Sequence, residues 1–171
     1  MHYFEALDCV VKVIRNDEIT DEIIARYHKI VISPGSGLPK DAGKINYYIK
    51  KHAPLKSILG ICLGQQAIAE IFGGELKALP ETKHGVFCEI THLQNDEIYQ
   101  KIPIKLNVGS YFSWETTKLP DSLIPTAISK DGIIMSLKHN KYDLKAVQYH
   151  PESILTDFGK AILNNWVSLT T

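Results

Sequence analysis

The sequence predicts an α/β fold, with a mostly parallel central sheet flanked by helices and an antiparallel β-hairpin extension. Three observations predict it. In the first half, short β-branched runs alternate with stretches of helical character, the pattern of parallel strands joined by covering helices. In the second half, strands follow one another through turn signals such as Gly73-Gly74 and Asp131-Gly132, which suits antiparallel hairpins. The chain then closes on Phe158, Ile162 and Trp166 at helical spacing. With 171 residues, 44% of them hydrophobic, the chain has enough apolar material for one core of ordinary size, so residues 1–171 are expected to form one domain.

The elements follow in order. Val10 to Ile14 is a first β-branched run. Thr20 followed by Asp21 and Glu22 is a helix start, with Ile23, Ile24 and Tyr27 on one side. Ile30 to Ser33 predicts a strand, Ile45 to Lys51 a helix and Ser57 to Ile61 an apolar strand. A helix after Cys62 turns Ile68, Ile71 and Phe72 inward. Val86 to His92, Leu106 to Ser110, Ile124 to Ser129, Ile133 to Leu137 and Lys145 to Tyr149 complete the strands.

Composition narrows the function. Lys plus Arg and Asp plus Glu both number 19, so no long-range field exists to collect nucleic acid or an anionic membrane. Cys9, Cys62 and Cys88 are an odd number without CxxC spacing, which argues against a disulfide framework or a thiolate metal site and for a reducing, cytoplasmic setting. No apolar run approaches the ~20 residues needed to span a bilayer, and the first residues lack a basic segment before an apolar one. A small molecule or another protein is the expected partner.

Three segments carry chemistry. The first is Gly60-Ile61-Cys62-Leu63-Gly64 between an apolar strand and a helix, a nucleophile elbow with sulfur in place of a hydroxyl. A tight strand-to-helix turn leaves no room for Cβ atoms beside its strained central residue, hence the two glycines. The adjoining helix N-terminus favours thiolate over thiol. The alternative is a small buried hydrophobe, the usual fate of a free cysteine, and Cys9 and Cys88 are expected to be that.

The second is Gln148-Tyr149-His150-Pro151-Glu152. Pro151 keeps the backbone extended, and residues two apart in extended chain point the same way, so His150 and Glu152 can converge. A carboxylate that orients an imidazole, and an imidazole that takes a thiol proton, are what a cysteine nucleophile needs. His2, His28, His52 and His139 are expected at the surface, whereas His84 and His92 are not assigned. The third is Ser33-Pro34-Gly35-Ser36-Gly37, whose glycines allow backbone N–H groups to point into a concave site. One such donor together with the Leu63 amide would hold an oxyanion. Neither Gly-x-Gly-x-x-Gly nor Gly-Lys-Ser/Thr occurs, so nucleotide binding is disfavoured.

Taken together, Ser-Pro-Gly-Ser-Gly at 33–37, Gly-Ile-Cys-Leu-Gly-Gln-Gln at 60–66 and Gln-Tyr-His-Pro-Glu-Ser at 148–153 resemble the class I (triad) glutamine amidotransferases over nearly the whole chain. Arg15-Asn16-Asp17-Glu18, Asp41-Ala42-Gly43 and His84-Gly85 bring the resemblance closest to the small subunits of anthranilate synthase and of para-aminobenzoate (aminodeoxychorismate) synthase.

The resemblance implies hydrolysis of L-glutamine to glutamate and ammonia by a Cys62–His150–Glu152 triad. The ammonia then passes to a chorismate-binding synthase subunit, component I, and no metal or organic cofactor takes part. It implies that Gly35, Ser36 and Gly37 hold glutamine and its oxyanion, with Leu63. Gln66 contacts the substrate by its side chain, and Ser113 and Trp114 meet the amino-acid end through their backbone.

The chain departs from that pattern in three places. Many members have Arg-Tyr-His-Ser-Leu where Ser110-Tyr111-Phe112-Ser113-Trp114 stands here, and a Lys at the position of Val86. Members also carry an apolar strand and an Asp-Asn-x-Asp-Ser-Phe-like loop before the helix that Tyr3 to Leu7 continues. The sheet is therefore expected to lack the family's first strand, its slot empty or refilled by another segment. Two other readings use the same residues: a cysteine hydrolase of another α/β fold, and a regulatory or binding subunit that keeps the fold without the chemistry.

Overall fold

The computed structural model describes residues 1–169. Seven strands form one mixed sheet in the order β1-β2-β7-β6-β5-β3-β4. They are β1 (Lys29–Ile32), β2 (Ser57–Ile61), β3 (Glu75–His92), β4 (Lys105–Lys118), β5 (Leu123–Ser129), β6 (Ile134–His139) and β7 (Leu144–Val147). Parallel pairing is confined to β1, β2 and β7, and the other pairs are antiparallel. β2 sits between two parallel neighbours and is buried at every residue, which explains its unbroken apolar character.

The helices are α1 (His2–Glu5), α2 (Asp21–Ala25), α3 (Ile45–His52), α4 (Leu63–Ile71) and α5 (Gly159–Ser168). They divide the core into two apolar clusters. One gathers Ile49, Ala67, Ile68, Leu137 and Leu144 from α3, α4 and the sheet. The other gathers Ile61, Ile90, Val108, Tyr149, Ile162 and Trp166 under α5. Phe4 of α1 meets Trp166 edge to face, with ring centroids 5.9 Å apart.

The Thr20 hydroxyl accepts from the Ile23 amide and starts α2 as its sequence predicts. Asp21 then ties α2 to α3, accepting from Lys51 Nζ at 2.6 Å and sharing a hydrogen bond with His52 Nε2 at 2.8 Å. Two of the histidines expected at the surface are in fact buried. His52 is held by that carboxylate, and His139 is stacked on Tyr142 with Nδ1 accepting from the Lys141 and Tyr142 amides. His92 is also buried, parallel to the Tyr99 ring at 4.7 Å.

Val10 to Ile14, expected as a strand, is not one. A strand exists only through its ladder, and among the described residues nothing pairs with the outer edge of β1. Val10 and Val13 are accordingly exposed. Asn16, just beyond, is fixed instead by a loop, its Nδ2 donating to the Ala42 carbonyl at 2.9 Å.

β3 and β4 are much longer than their apolar runs, because Glu75–Thr82 and Tyr111–Lys118 extend the hairpin beyond the core with alternating and polar residues. The pairing is irregular where Ala78 faces Trp114 and Lys83 faces Phe112: four residues of β3 bulge opposite Ser113 alone.

Candidate functional site

Cys62 stands at the carboxyl end of β2 and caps the N-terminus of α4. Its backbone is at φ 52° and ψ −102°, a conformation costly for a residue with a Cβ and one that persists only where the surroundings impose it. The surroundings do so. The Cys62 amide donates to the Val147 carbonyl at 2.8 Å, extending the β2–β7 ladder through the nucleophile. Its carbonyl accepts from the amides of Gln65 and Gln66 and starts the helix.

The two glycines permit this turn. A Cβ on Gly60 would stand 2.6 Å from the Gly64 carbonyl carbon, and one on Gly64 would stand 2.6 Å from the Ile32 carbonyl oxygen. Elbow and β1 thus touch backbone to backbone.

His150 is delivered from the next strand over. β7 ends at Val147, the Gln148 amide reaches across to the Met135 carbonyl of β6, and the His150 amide donates to the Gly109 carbonyl of β4 at 3.0 Å. Thr156 fixes the same junction from the other side, its hydroxyl donating to the His150 carbonyl and accepting from the Gly109 amide at 3.0 Å.

With its backbone held on two sides, the imidazole is aimed by Glu152, whose Oε1 lies 2.8 Å from Nδ1. The other ring nitrogen, Nε2, is buried and has no hydrogen-bond partner among the described residues. Burial pushes the imidazole pKa down, but the facing Cys62 sulfur and the bonded Glu152 outweigh it and raise it to about 9. Burial pushes the Glu152 carboxyl up, but its hydrogen bond to His150, a backbone hydrogen bond and the imidazole's charge together outweigh that and leave the carboxyl below its usual range.

The loop after β1 lies against the elbow. A Cβ on Gly35 would stand 2.6 Å from Leu63 Cδ2, and Gly37 takes the left-handed φ of 81°. Gly35, Ser36 and Gly37 are exposed, whereas Leu63 is buried. Among the described residues, neither the Gly35 nor the Leu63 amide donates to another backbone carbonyl.

On the far side runs β4. The Tyr111 carbonyl lies 3.8 Å from Cys62 Sγ, and the Trp114 carbonyl accepts from Gln66 Nε2 at 2.9 Å. Ser113 sits between them opposite the β3 bulge, its hydroxyl 3.1 Å from that of Thr82. The structure therefore brings Cys62, His150, Glu152, Gly35, Leu63, Gln66 and Trp114 around one turn, whereas Ser113 beside Trp114 meets Thr82, and Ser36 and Gly37 are exposed on the loop beyond Gly35.

Two participants were not singled out from sequence. Gln148 is buried and places Nε2 3.6 Å from Cys62 Sγ. Tyr111 packs its ring 4.9 Å from that of His150 and joins its hydroxyl to Ser153 at 3.1 Å. Gln148 had a signal: it lies two residues before His150, as Glu152 lies two after. No metal-binding group of His, Cys, Asp or Glu occurs among the described residues, and no helix is long and apolar enough to cross a membrane. Cys9 and Cys88 are free, and Cys88 is buried in the same apolar cluster as Cys62.

Comparison with known proteins places this geometry. A family model described as glutamine amidotransferase class-I matches residues 1–169. The anthranilate synthase component 2 of Cyanophora paradoxa is 40% identical over 97% of this chain and 90% of its own. That of Lactococcus lactis is 35% identical over 98% and 86%. A multifunctional tryptophan biosynthesis protein of Schizosaccharomyces pombe is 40% identical over 94% of this chain, which spans 22% of that longer protein. Among solved structures, a candidate GMP synthase subunit from Thermoplasma acidophilum superposes with a TM-score of 0.88 at 25% identity, covering 97% of this chain and 83% of its own. A glutamine amidotransferase of Thermotoga maritima shares the fold at a TM-score of 0.72 and 15% identity, covering 90% and 82%.

Proposed function

Because the chain belongs to the class-I glutamine amidotransferase family, we propose that it hydrolyses L-glutamine with Cys62 as nucleophile, His150 as base and acid, and Glu152 as its orienter. The observation that carries this is the imidazole: one nitrogen is held by a carboxylate at 2.8 Å, and the other is buried, unpartnered and faces a buried thiol. A buried polar atom left without a partner is costly, and one that faces a nucleophile is a proton carrier in waiting.

In this scheme the Cys62 sulfur attacks the side-chain amide carbon of glutamine, and the thiol proton resides on His150. The Gly35 and Leu63 amides receive the oxyanion. Collapse expels ammonia with the proton from His150, leaving a thioester on Cys62. Water, deprotonated by the same imidazole, then releases glutamate and regenerates the thiol. The backbone of Ser113 and Trp114 receives the amino-acid end of glutamine, where the β3 bulge leaves Ser113 without a cross-strand partner.

The names of the relatives direct the product. Since the relatives above are component 2 of anthranilate synthase, the proposed partner is a chorismate-binding component I, and the ammonia is used to aminate chorismate in the anthranilate branch. The para-aminobenzoate branch shares the same sequence motifs, so the partner decides between them. The test is ammonia release from glutamine by the wild type and by Cys62→Ser, alone and with each candidate synthase. Loss in Cys62→Ser of about 10⁴-fold or more is expected. Equal release by the two forms in the presence of a partner would overturn the mechanism.

A further inference from the structure

We propose that Gln148 is a further catalytic residue, a carboxamide that donates to Cys62 Sγ and whose orientation is dictated by a backbone carbonyl of β4. The proposal rests on Cys62 being the nucleophile of the reaction above. A carboxamide has two ends of nearly the same shape and opposite function: the NH₂ end stabilises a thiolate, whereas the oxygen end stabilises only a thiol. Which end meets the sulfur therefore decides what Gln148 does.

The choice is made two residues away. The Trp114 carbonyl can only accept, so Gln66 must turn Nε2 toward it, at 2.9 Å. That same Nε2 lies 3.4 Å from the Gln148 side chain, which must then present Oε1. Only Nε2 of Gln148 remains for the sulfur, at 3.6 Å. Both glutamines are buried, Gln148 at 0% and Gln66 at 4% exposure, so water does not compete for these positions. Reversing Gln66 would set its oxygen against the Trp114 carbonyl oxygen, and reversing Gln148 would set one NH₂ against the other, in either case out of water.

The sulfur stands between opposed partners. The Tyr111 carbonyl, 3.8 Å away, suits a thiol proton and repels a thiolate. The Gln148 N–H does the reverse, as hydrogen bonds to ionised acceptors strengthen. The titratable groups that bear on Cys62 are His150 facing it and Glu152 behind that ring, both from the segment after β7. From the hairpin side, Tyr111 of β4 packs on His150, and His84 of β3 stands edge-on to Tyr111. The glutamines that α4 and the segment after β7 contribute do not titrate, so the Gln148 N–H remains a donor to the sulfur whatever the protonation of His150.

The experiment is alkylation of Cys62 by iodoacetamide across pH, followed peptide by peptide by mass spectrometry, with Cys9 as internal reference. Gln148→Met keeps the volume and removes the donor, and Gln148→Glu replaces the donor with a second anion. In Gln148→Met, the Cys62 rate at neutral pH is expected to fall about tenfold and to rejoin the wild type at alkaline pH, where the thiol ionises in every form. Gln148→Glu is expected to fall further.

A wild-type profile in Gln148→Met, or an equal loss at every pH, which marks blocked access, overturns the proposal. Should Gln148→Met fail to melt cooperatively, Gln66→Met decides. It removes the donor that orients Gln148, so a loss confined to neutral pH supports the relay and an unchanged profile sinks it. Alkylation needs no glutamine, so this outcome is independent of whether Cys62→Ser still releases ammonia.

Discussion

The nucleophile turn and the Ser-Pro-Gly-Ser-Gly loop face each other across one site but are held in opposite ways. From Ser57 to Ala69 every residue is buried, and the close approaches at Gly60 and Gly64 are to backbone atoms. Ser33, Gly35, Ser36 and Gly37 are exposed, and the close approach at Gly35 is to the end of one flexible side chain, Leu63 Cδ2. The thiol half, which includes the Leu63 amide, is thus packed backbone to backbone, while the Ser-Pro-Gly-Ser-Gly loop is exposed and met at Gly35 by one side chain. Catalysis needs both the nucleophile's strained backbone and the Leu63 donor held in advance, and the buried half holds them together, whereas the Gly35 donor sits on the exposed loop.

The largest effect should come from forcing the buried half. Gly64→Ala drives a Cβ into the Ile32 carbonyl, and neither β1 nor α4 can yield without opening the ladder, so a loss of more than about 3 kcal/mol in urea unfolding is expected. Gly35→Ala meets only a methyl that can rotate away, and its stability cost should stay near 1 kcal/mol. Glutamine turnover in that variant should nonetheless fall, by up to the ~10²-fold typical of a displaced oxyanion donor. Similar stability losses in the two variants would show that the two halves are equally tightly held and end the contrast.

A smaller effect divides the thiol half internally. Glu152 is 43% exposed at its side chain, while the imidazole it orients is 16% exposed. Removing its charge in Glu152→Gln should spare the fold and lower ammonia release by roughly 10- to 100-fold, since the amide can still meet Nδ1 but no longer stabilises the imidazolium. Circular dichroism melts and steady-state turnover separate the two. A melting change as large as that of Gly64→Ala would make Glu152 a structural residue instead.

The same contrast explains what was legible in the sequence. The elbow was readable because steric rules leave few residues able to occupy it, so Gly60, Cys62 and Gly64 mark the turn wherever the chain goes. His150 and Glu152 were readable as a pair, but the expected extended chain is a turn: Pro151 and Glu152 bend between the His150 carbonyl and the Ser153 amide that donates to it at 3.1 Å, and this bend carries Glu152 back to Nδ1. Gln148 stands two residues before His150, but a buried glutamine just beyond an apolar strand carries no chemical label, and its importance comes from Gln66 and Trp114, which are distant in sequence.

Val10 to Ile14 had the composition of a strand and is not one, since β-propensity describes fit to a neighbour, and here no neighbour is in place. The buried states of His52 and His139 were missed for the same reason: Asp21 and Tyr142 supply their partners through the fold.

The smallest expected effect tests the electrostatics of the thiol half alone. The His150 imidazole is raised from 6.5 to about 9, against the downward push of burial, by the facing Cys62 and the bonded Glu152. A group held above its unfolded value binds its proton more tightly in the folded chain, so its contribution to stability is complete below about pH 6.5 and is lost as pH rises through about 9. Urea midpoints should therefore fall across that window. Because the ring is partly accessible, the fall is discounted by solvent screening and stays well below the cost of Gly64→Ala. Glu152→Gln removes one of the two groups that raise the imidazole and should flatten the decline, whereas Gly35→Ala, on the opposite half, should leave its shape unchanged. A decline equally steep in Glu152→Gln would assign the pH dependence to other groups and leave the imidazole with its ordinary affinity for a proton.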